Sequence, residues 1–290
     1  MIRLVCVGDL MVDVLAQLPG PLAPGSDTPA TVTILGGGAA ANVAAWAAHT
    51  GAAAAFVGRV GDDALGRRAV AELMAAGVEA RVDLDPDRPT GTCIVLVDPS
   101  GERTMVPSVG ANAAPGGYPL PDSADWLYLS GYALLSEPSR EAALGALTTA
   151  RELGWSIAVD AASAAPLRGV GAETFLGWLG TGVLLFANAD EALVLTGIDE
   201  PAGSAAALAA RTGQTIVKLG AGGALWSDGS AVRSMPAVPT DVLDSTGAGD
   251  AFAAGYLCGS GDVAARLGSA VELGAVAVGQ LGARPVNPSR

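Results

Sequence analysis

Short apolar runs alternate with helical repeats along most of the chain, and glycine or a carboxylate closes nearly every run. Residues 2–7 (IRLVCV) end in Gly8-Asp9 and predict a buried strand. A helix is predicted from near Gly38 through NVAAWAAHT to Gly51, then a strand (AAAFVGRVG) and a helix (ALGRRAVAELMAAG) closed by Gly77. From Ala124 the rhythm is regular. Strand DWLYLSG leads to helix SREAALGALTTARELG, strand WSIAVDA, the short helix TFLGWLG and strand VLLFANA. A helix over residues 202–212 follows, then TIVKLG, ALWSDG and one long helix from near Gly249. Apolar strands alternating with helices predict βαβ units, and so a three-layer α/β domain with a mainly parallel central sheet. Two segments break the rhythm. Residues 14–35 carry Pro19, Pro21, Pro24 and Pro29 around an alternating ATVTIL, while GTCIVLV (91–97) and RTMVPS (103–108) read as strands joined by a turn at Asp98-Pro99-Ser100-Gly101. They predict a small accessory sheet on one domain spanning residues 1–290.

Composition narrows the chemistry. The 290 residues are 50% hydrophobic and 16% charged, with a net charge of −13, which argues against a nucleic-acid or anionic-membrane partner. Fifteen of the 16 basic residues are arginine; Lys218 is the only lysine and His49 the only histidine. A clustered-histidine metal site and a Walker-type P-loop are therefore excluded. Cys6, Cys93 and Cys258 are widely spaced among apolar residues, as reduced core thiols are. Asp9 and Asp13 interrupt the N-terminal apolar run, so it does not read as a signal peptide, and a cytoplasmic location is expected. Residues 39–58 approach membrane-span length but contain Asn42, His49 and two glycines, and are read as a helix followed by a strand.

The richest segment is DSTGAGDAFAAGYL (244–257). Thr246, Gly247, Ala248 and Gly249 lead straight into an apolar helix, where backbone N–H groups and the helix dipole make an anion site that needs no lysine. Asp250 falls in the first turn, as a dipole-favoured terminal residue or as a general base beside a transferring group. DSTGAGDAF resembles the C-terminal signature of the ribokinase-like (PfkB) family of small-molecule kinases. Gly37-Gly38…Asn42 resembles that family's N-terminal motif, GRVGDDALG (58–66) the stretch after it, and Gly110-Ala-Asn112 a motif of the ribokinase branch. Asn188…Glu191 resembles its N-x-x-E motif, and Lys218-Leu-Gly220…Gly223 its nucleotide loop.

The resemblance implies a β-sheet lid, formed by segments 14–35 and 91–108, over a sugar or nucleoside whose hydroxymethyl group is phosphorylated by ATP. Asp250 would be the base, and the amides of Gly247, Ala248 and Gly249 the anion hole. Asp13, Gly37, Gly38 and Asn42 would hold the acceptor hydroxyls. Asn188 and Glu191 would organise Mg²⁺ and its waters, while Lys218, Gly220, Gly223 and Thr246 would meet the nucleotide. A monovalent cation such as K⁺ stays open, and a homodimer through the lid would protect its sheet edge. A non-catalytic sugar- or nucleotide-binding regulator is the alternative. A dinucleotide-dependent oxidoreductase is a weaker one, because no strand leads into G-x-G-x-x-G.

Other readings of the same residues coexist. Asn188 and Glu191 also have the spacing of a helix capping box. Spacing does not choose between Asp9 and Asp13 for the cleft, and Lys218 also reads as a structural lysine. Arg103 reads either as a clamp for an anionic acceptor or as a solvated strand residue. Departures from the family bear on the acceptor. Met11, Ala39 and Gly131 stand where a ribokinase carries polar contacts to ribose, which disfavours ribose. With Tyr132 nearby they suit a less polar or bulkier acceptor such as a nucleoside, with a hexose or an Arg103-held keto-sugar acid also open.

Overall fold

Parallel pairing runs through the middle of the computed structural model, which describes residues 1–99, 103–114 and 116–286. The first half of the chain forms β1 (Arg3–Val7), β2 (Met11–Gln17), β3 (Thr31–Gly37), α1 (Ala39–His49), β4 (Ala53–Gly61), α2 (Ala64–Ala75), β5 (Glu79–Asp85), β6 (Gly91–Val97) and β7 (Arg103–Ser108). Then come β8 (Trp126–Ser130), α3 (Gly131–Leu135), α4 (Glu137–Glu152), β9 (Ser156–Asp160), α5 (Ala164–Val170), α6 (Ala172–Leu179), β10 (Val183–Asn188) and α7 (Ala189–Thr196). The last part is α8 (Pro201–Thr212), β11 (Gly213–Lys218), β12 (Ala224–Ser227), β13 (Val232–Met235), α9 (Ala248–Cys258) and α10 (Val263–Val278).

Among the described residues nine strands make the main sheet in the order β13-β12-β11-β10-β9-β8-β1-β4-β5; all pairs are parallel except β11–β12 and β12–β13. Its central strands are buried on both faces, which is why they read as unbroken apolar runs. Leu4, Cys6, Phe56, Tyr128 and Phe186 point to a core shared with Trp46, Phe252 and Tyr256. Their neighbours Val5, Val7, Val57, Leu129 and Leu185 point to the opposite core, with Leu147, Phe175 and Leu208. Helices on both faces complete the three-layer α/β arrangement. Among the described residues no helix is long and apolar enough to cross a membrane.

The second sheet has four strands in the order β3-β2-β6-β7, with β2 and β6 parallel and the outer pairs antiparallel. Its inner face carries Asp13 and a small core of Leu15, Cys93 and Val95. The opposite face leaves Val32, Ile34, Ile94 and Val106 exposed. Ser100 and Gly101 of the expected turn lie outside the described residues.

One expectation needs correction, and three elements went unread in the sequence. The long C-terminal helix is two, α9 and α10, because Gly259 ends the first and the Asp262 side chain caps the second by accepting from the Ala265 N–H. The strand β5 (EARVDLD) has too few apolar residues for its pattern to stand out, being a half-exposed edge. The short elements β13 and α5 give too few residues for a period to register.

Candidate active site

The C-terminal ends of the parallel strands and the glycine-rich start of α9 converge on one cleft, the usual position for ligands in an open α/β sheet. Asp244 builds the turn before α9. Its buried carboxylate accepts from the Thr246 N–H (2.7 Å) and the Gly282 N–H (2.9 Å) and pairs with Arg103 Nη2 at 2.6 Å. Burial disfavours its charge, but these donors outweigh it and hold its pKa below the ordinary value. Gly247 then takes a left-handed φ of 75° as the residue before α9, and the Ala248 N–H donates to Ser245 at 3.3 Å. The first-turn amides of α9 have no partner within the helix itself, which leaves partial positive charge at the cleft.

Asp250 sits in that first turn. Its Oδ2 accepts from Asn42 Nδ2 at 2.9 Å. The surrounding protein strips its carboxylate of water and pushes the pKa up to about 8; the Asn42 hydrogen bond opposes the rise, as does Lys218, while Asp160 and Asp9 add to it. Asp13 lies on the inner face of β2, almost fully buried. A Cβ on Gly37 would lie 2.3 Å from its Oδ1, so glycine is what leaves room for this carboxylate. Burial raises Asp13 to about 6, against the nearby Arg284 cation. Asp9 turns a different way. Its Oδ2 accepts from the Ala39 N–H at 2.9 Å, anchoring α1 just after Gly38, while its buried Oδ1 has no hydrogen-bond partner among the described residues.

On the far side of Asp250, Lys218 at the end of β11 donates to Asp160 Oδ2 at 2.7 Å, and its Nζ lies against Gly249. Burial works against the ammonium, but Asp160 and Glu191 hold its pKa above the ordinary lysine value. Asn188 and Glu191 form a complete capping box over α7. The Glu191 N–H donates to Asn188 Oδ1, and Glu191 Oε2 and Oε1 accept from the Asn188 N–H and Nδ2. Burial, reinforced by Asp160, raises Glu191 to about 7. Beyond Lys218 opens a cavity of about 600 Å³, mostly apolar, lined by Gly220, Gly223, Val238, Ala248, Gly249 and Phe252 among others.

The fold therefore brings Asp13, Gly37, Gly38, Asn42 and Asp250 to one side of the α9 turn, and Lys218, Gly220 and Gly223 to the other. Thr246 enters through its backbone bond to Asp244. Arg103 is not a free clamp, since Asp244 and Ser245 Oγ (2.7 Å) hold its guanidinium. For a divalent cation, Asn188 and Glu191 supply hard oxygens, but these are already engaged with one another. Among the described residues no three acidic, histidine or cysteine side chains form a metal cage. Such a set fits an ion held chiefly by phosphate and water, with Glu191 and Asp160 lending negative charge nearby. Three participants escaped the sequence patterns: Asp160, Asp244 as the turn's organiser, and Arg284. Asp160 had a signal, as it ends β9 as Asn188 ends β10. Arg284 had none.

A fructokinase of Klebsiella pneumoniae is 31% identical over 264 residues, covering 87% of this chain and 82% of its own. The crystal structure of adenosine kinase from Sinorhizobium meliloti superposes with a TM-score of 0.88 at 26% identity, over 99% of this chain and 96% of that one. Aminoimidazole riboside kinase from Salmonella enterica, solved with aminoimidazole riboside and an ATP analogue, gives 0.79 at 27% identity, over 97% and 95%. The family model for pfkB family carbohydrate kinases matches residues 1–290, and the chain belongs to that family.

Proposed function

We propose that the protein transfers the γ-phosphoryl group of ATP to a hydroxymethyl group of a neutral sugar or nucleoside. The observation that carries this reading is the place of Asp250, between the polar bowl of Asp13, Asn42 and Gly37 and the apolar cavity beyond Gly249. The bowl offers oxygen acceptors and amide donors suited to hydroxyls; the cavity suits a purine, with glycine-rich backbone around it. Asp250 takes the hydroxyl proton as the acceptor oxygen bonds to the γ-phosphorus. The bond from that phosphorus to its bridging oxygen breaks, leaving ADP and a phosphate monoester. The amides of Gly247, Ala248 and Gly249 stabilise charge on the transferring group, and Lys218 supplies a side-chain cation beside Gly249. Glu191 with Asn188 would hold Mg²⁺ through water, and the ion's chemistry is to neutralise the phosphate oxygens.

Arg103 is committed to Asp244, so the bowl lacks the free lid cation that a keto-sugar acid would need. Met11, Ala39 and Tyr132 favour a less polar acceptor than ribose. The test is ADP release with ATP and Mg²⁺ across fructose, ribose, adenosine, aminoimidazole riboside and 2-dehydro-3-deoxygluconate. Turnover with a neutral acceptor is the expected result. Turnover with the sugar acid alone overturns the acceptor class, and none above the acceptor-free rate overturns the kinase reading.

The second sheet would act as the lid, and its exposed apolar face (Val32, Ile34, Ile94 and Val106) supports a homodimer through it. Light scattering should give a dimer for the wild type and a monomer for Ile94→Asp; a monomeric wild type removes this part of the reading. The use of ATP and the free thiols Cys6, Cys93 and Cys258 suit a cytoplasmic setting.

A further inference from the structure

Arg284 lies on no recognised motif, yet its guanidinium reaches the centre of the site. Nε donates to Asn42 Oδ1 at 3.1 Å and Nη2 to the Gly37 carbonyl at 2.7 Å, while Nη1 is enclosed beside Gly36. A Cβ on Gly36 would lie 2.3 Å from Nη1, so this glycine leaves the slot open. The backbone that carries Arg284 is fixed on both sides. Trp46 Nε1 donates to the Ala283 carbonyl (2.9 Å), the Gly282 N–H to Asp244 (2.9 Å), and Gln280 Nε2 to the Arg284 carbonyl (2.7 Å).

A guanidinium can only donate hydrogen bonds, and an ionised carboxylate can only accept them. The Asn42 amide stands between one of each. With its oxygen claimed by Arg284, its NH₂ must face Asp250, and it does, at 2.9 Å. We infer that Arg284 is a positioning residue that fixes the polarity of the Asn42 amide, and through it favours the carboxylate form of Asp250, with its other oxygen turned to the acceptor. This inference rests on the reading of Asp250 as the base. Without Arg284 the amide is free to turn over. Its oxygen would then face Asp250, an arrangement that only the protonated acid satisfies.

The other charged or titratable groups that face Asp250 are Cys6 and Asp9 from β1 and its end, Tyr128 from β8, Asp160 from β9 and Lys218 from β11. None of them touches Asn42 Oδ1 in the structure, so the relay separates from a general electrostatic effect. The test is a carboxyl ¹³C NMR titration of Asp250, assigned with Asp250→Asn, in the wild type, Arg284→Met, Arg284→Lys, Asn42→Ala and the Asn42→Ala/Arg284→Met double variant. Arg284→Met is expected to raise the midpoint by about one pH unit or more, the tenfold change in proton affinity of a lost charged-form hydrogen bond. Arg284→Lys, which keeps the charge but not the fork, should fall between. In the Asn42→Ala background the Arg284→Met shift should shrink to a fraction of its size.

An unmoved midpoint in a folded Arg284→Met overturns the proposal. So does a shift of equal size with and without Asn42, which would mean action by charge alone. If Arg284→Met does not fold, the midpoint of Arg284→Lys decides: raised supports the relay, unchanged overturns it. Turnover by Asp250→Asn is a separate matter, since it would remove the base while leaving the titration result standing.

Discussion

Asp250→Asn is expected to lower kcat by about 10³-fold, within the range that removal of a general base costs, with little change in KM for the acceptor. The amide keeps an oxygen for Asn42 Nδ2, so the fold and the bowl should persist. The same substitution should raise thermal stability, and the sign follows from the pKa. Burial holds Asp250 protonated in the folded protein up to about pH 8, whereas an ordinary aspartate loses its proton near 3.8. Between those values the folded state binds the extra proton, so the wild-type carboxyl costs progressively more stability as pH climbs through that window. Asparagine never ionises. Its Tm should match the wild type near pH 4 and exceed it at pH 8.5. In the wild type, kcat/KM should rise tenfold per pH unit up to about 8 and then level. Near-wild-type turnover in Asp250→Asn, or a Tm difference that does not grow with pH, would sink the assignment.

Gly247→Ala is the second change with a large effect. At φ 75° an alanine is strained by about 1 kcal/mol, and its Cβ would stand 2.4 Å from the Ala283 carbonyl oxygen. Backbone, unlike a side-chain tip, cannot step aside cheaply. The turn must therefore move off the 282–284 segment that Asp244 and Trp46 hold in place. Calorimetry should show a loss of about 2–4 kcal/mol, and kcat should fall by about 10²-fold as the first-turn amides of α9 shift. Gly249→Ala supplies the contrast. Its Cβ would meet only the Lys218 side chain, nearest at Nζ (3.2 Å), and no backbone. It should keep most of its stability while weakening ATP binding. Equal stability losses in the two variants would contradict the packing argument.

Much of the layout was legible because one physical cause left one mark. A helix that presents its N-terminus to an anion needs a left-handed residue before it and small residues in its first turn, and TGAGD records both. The N-x-x-E spacing was readable in two ways, as a capping box and as a metal-organising pair, and the capping box is fully formed. Nothing in that spacing excluded the second use. Local signals could not choose between Asp9 and Asp13. The choice depends on Gly37, which leaves space for Asp13, and on the Ala39 amide, which claims Asp9. Arg103 was placed on the right strand but with the wrong freedom, because its partner Asp244 lies far along the chain. Arg284 left no mark at all: one arginine in GARPV has no period, cap or turn to announce it.

The Asn42–Asp250 bond joins residues 208 apart, and the Arg284–Asn42 bond residues 242 apart. The first helix, the α9 turn and the 282–284 segment meet only when distant parts of the chain close on one another. Loop closure of that span is paid for before any contact rewards it, so these bonds belong late in folding. On a ribosome, a nascent chain stopped short of Arg284 would have its strands before it had this pair of bonds. Topology alone would thus leave Asp250 without its Asn42–Arg284 support until that segment has emerged.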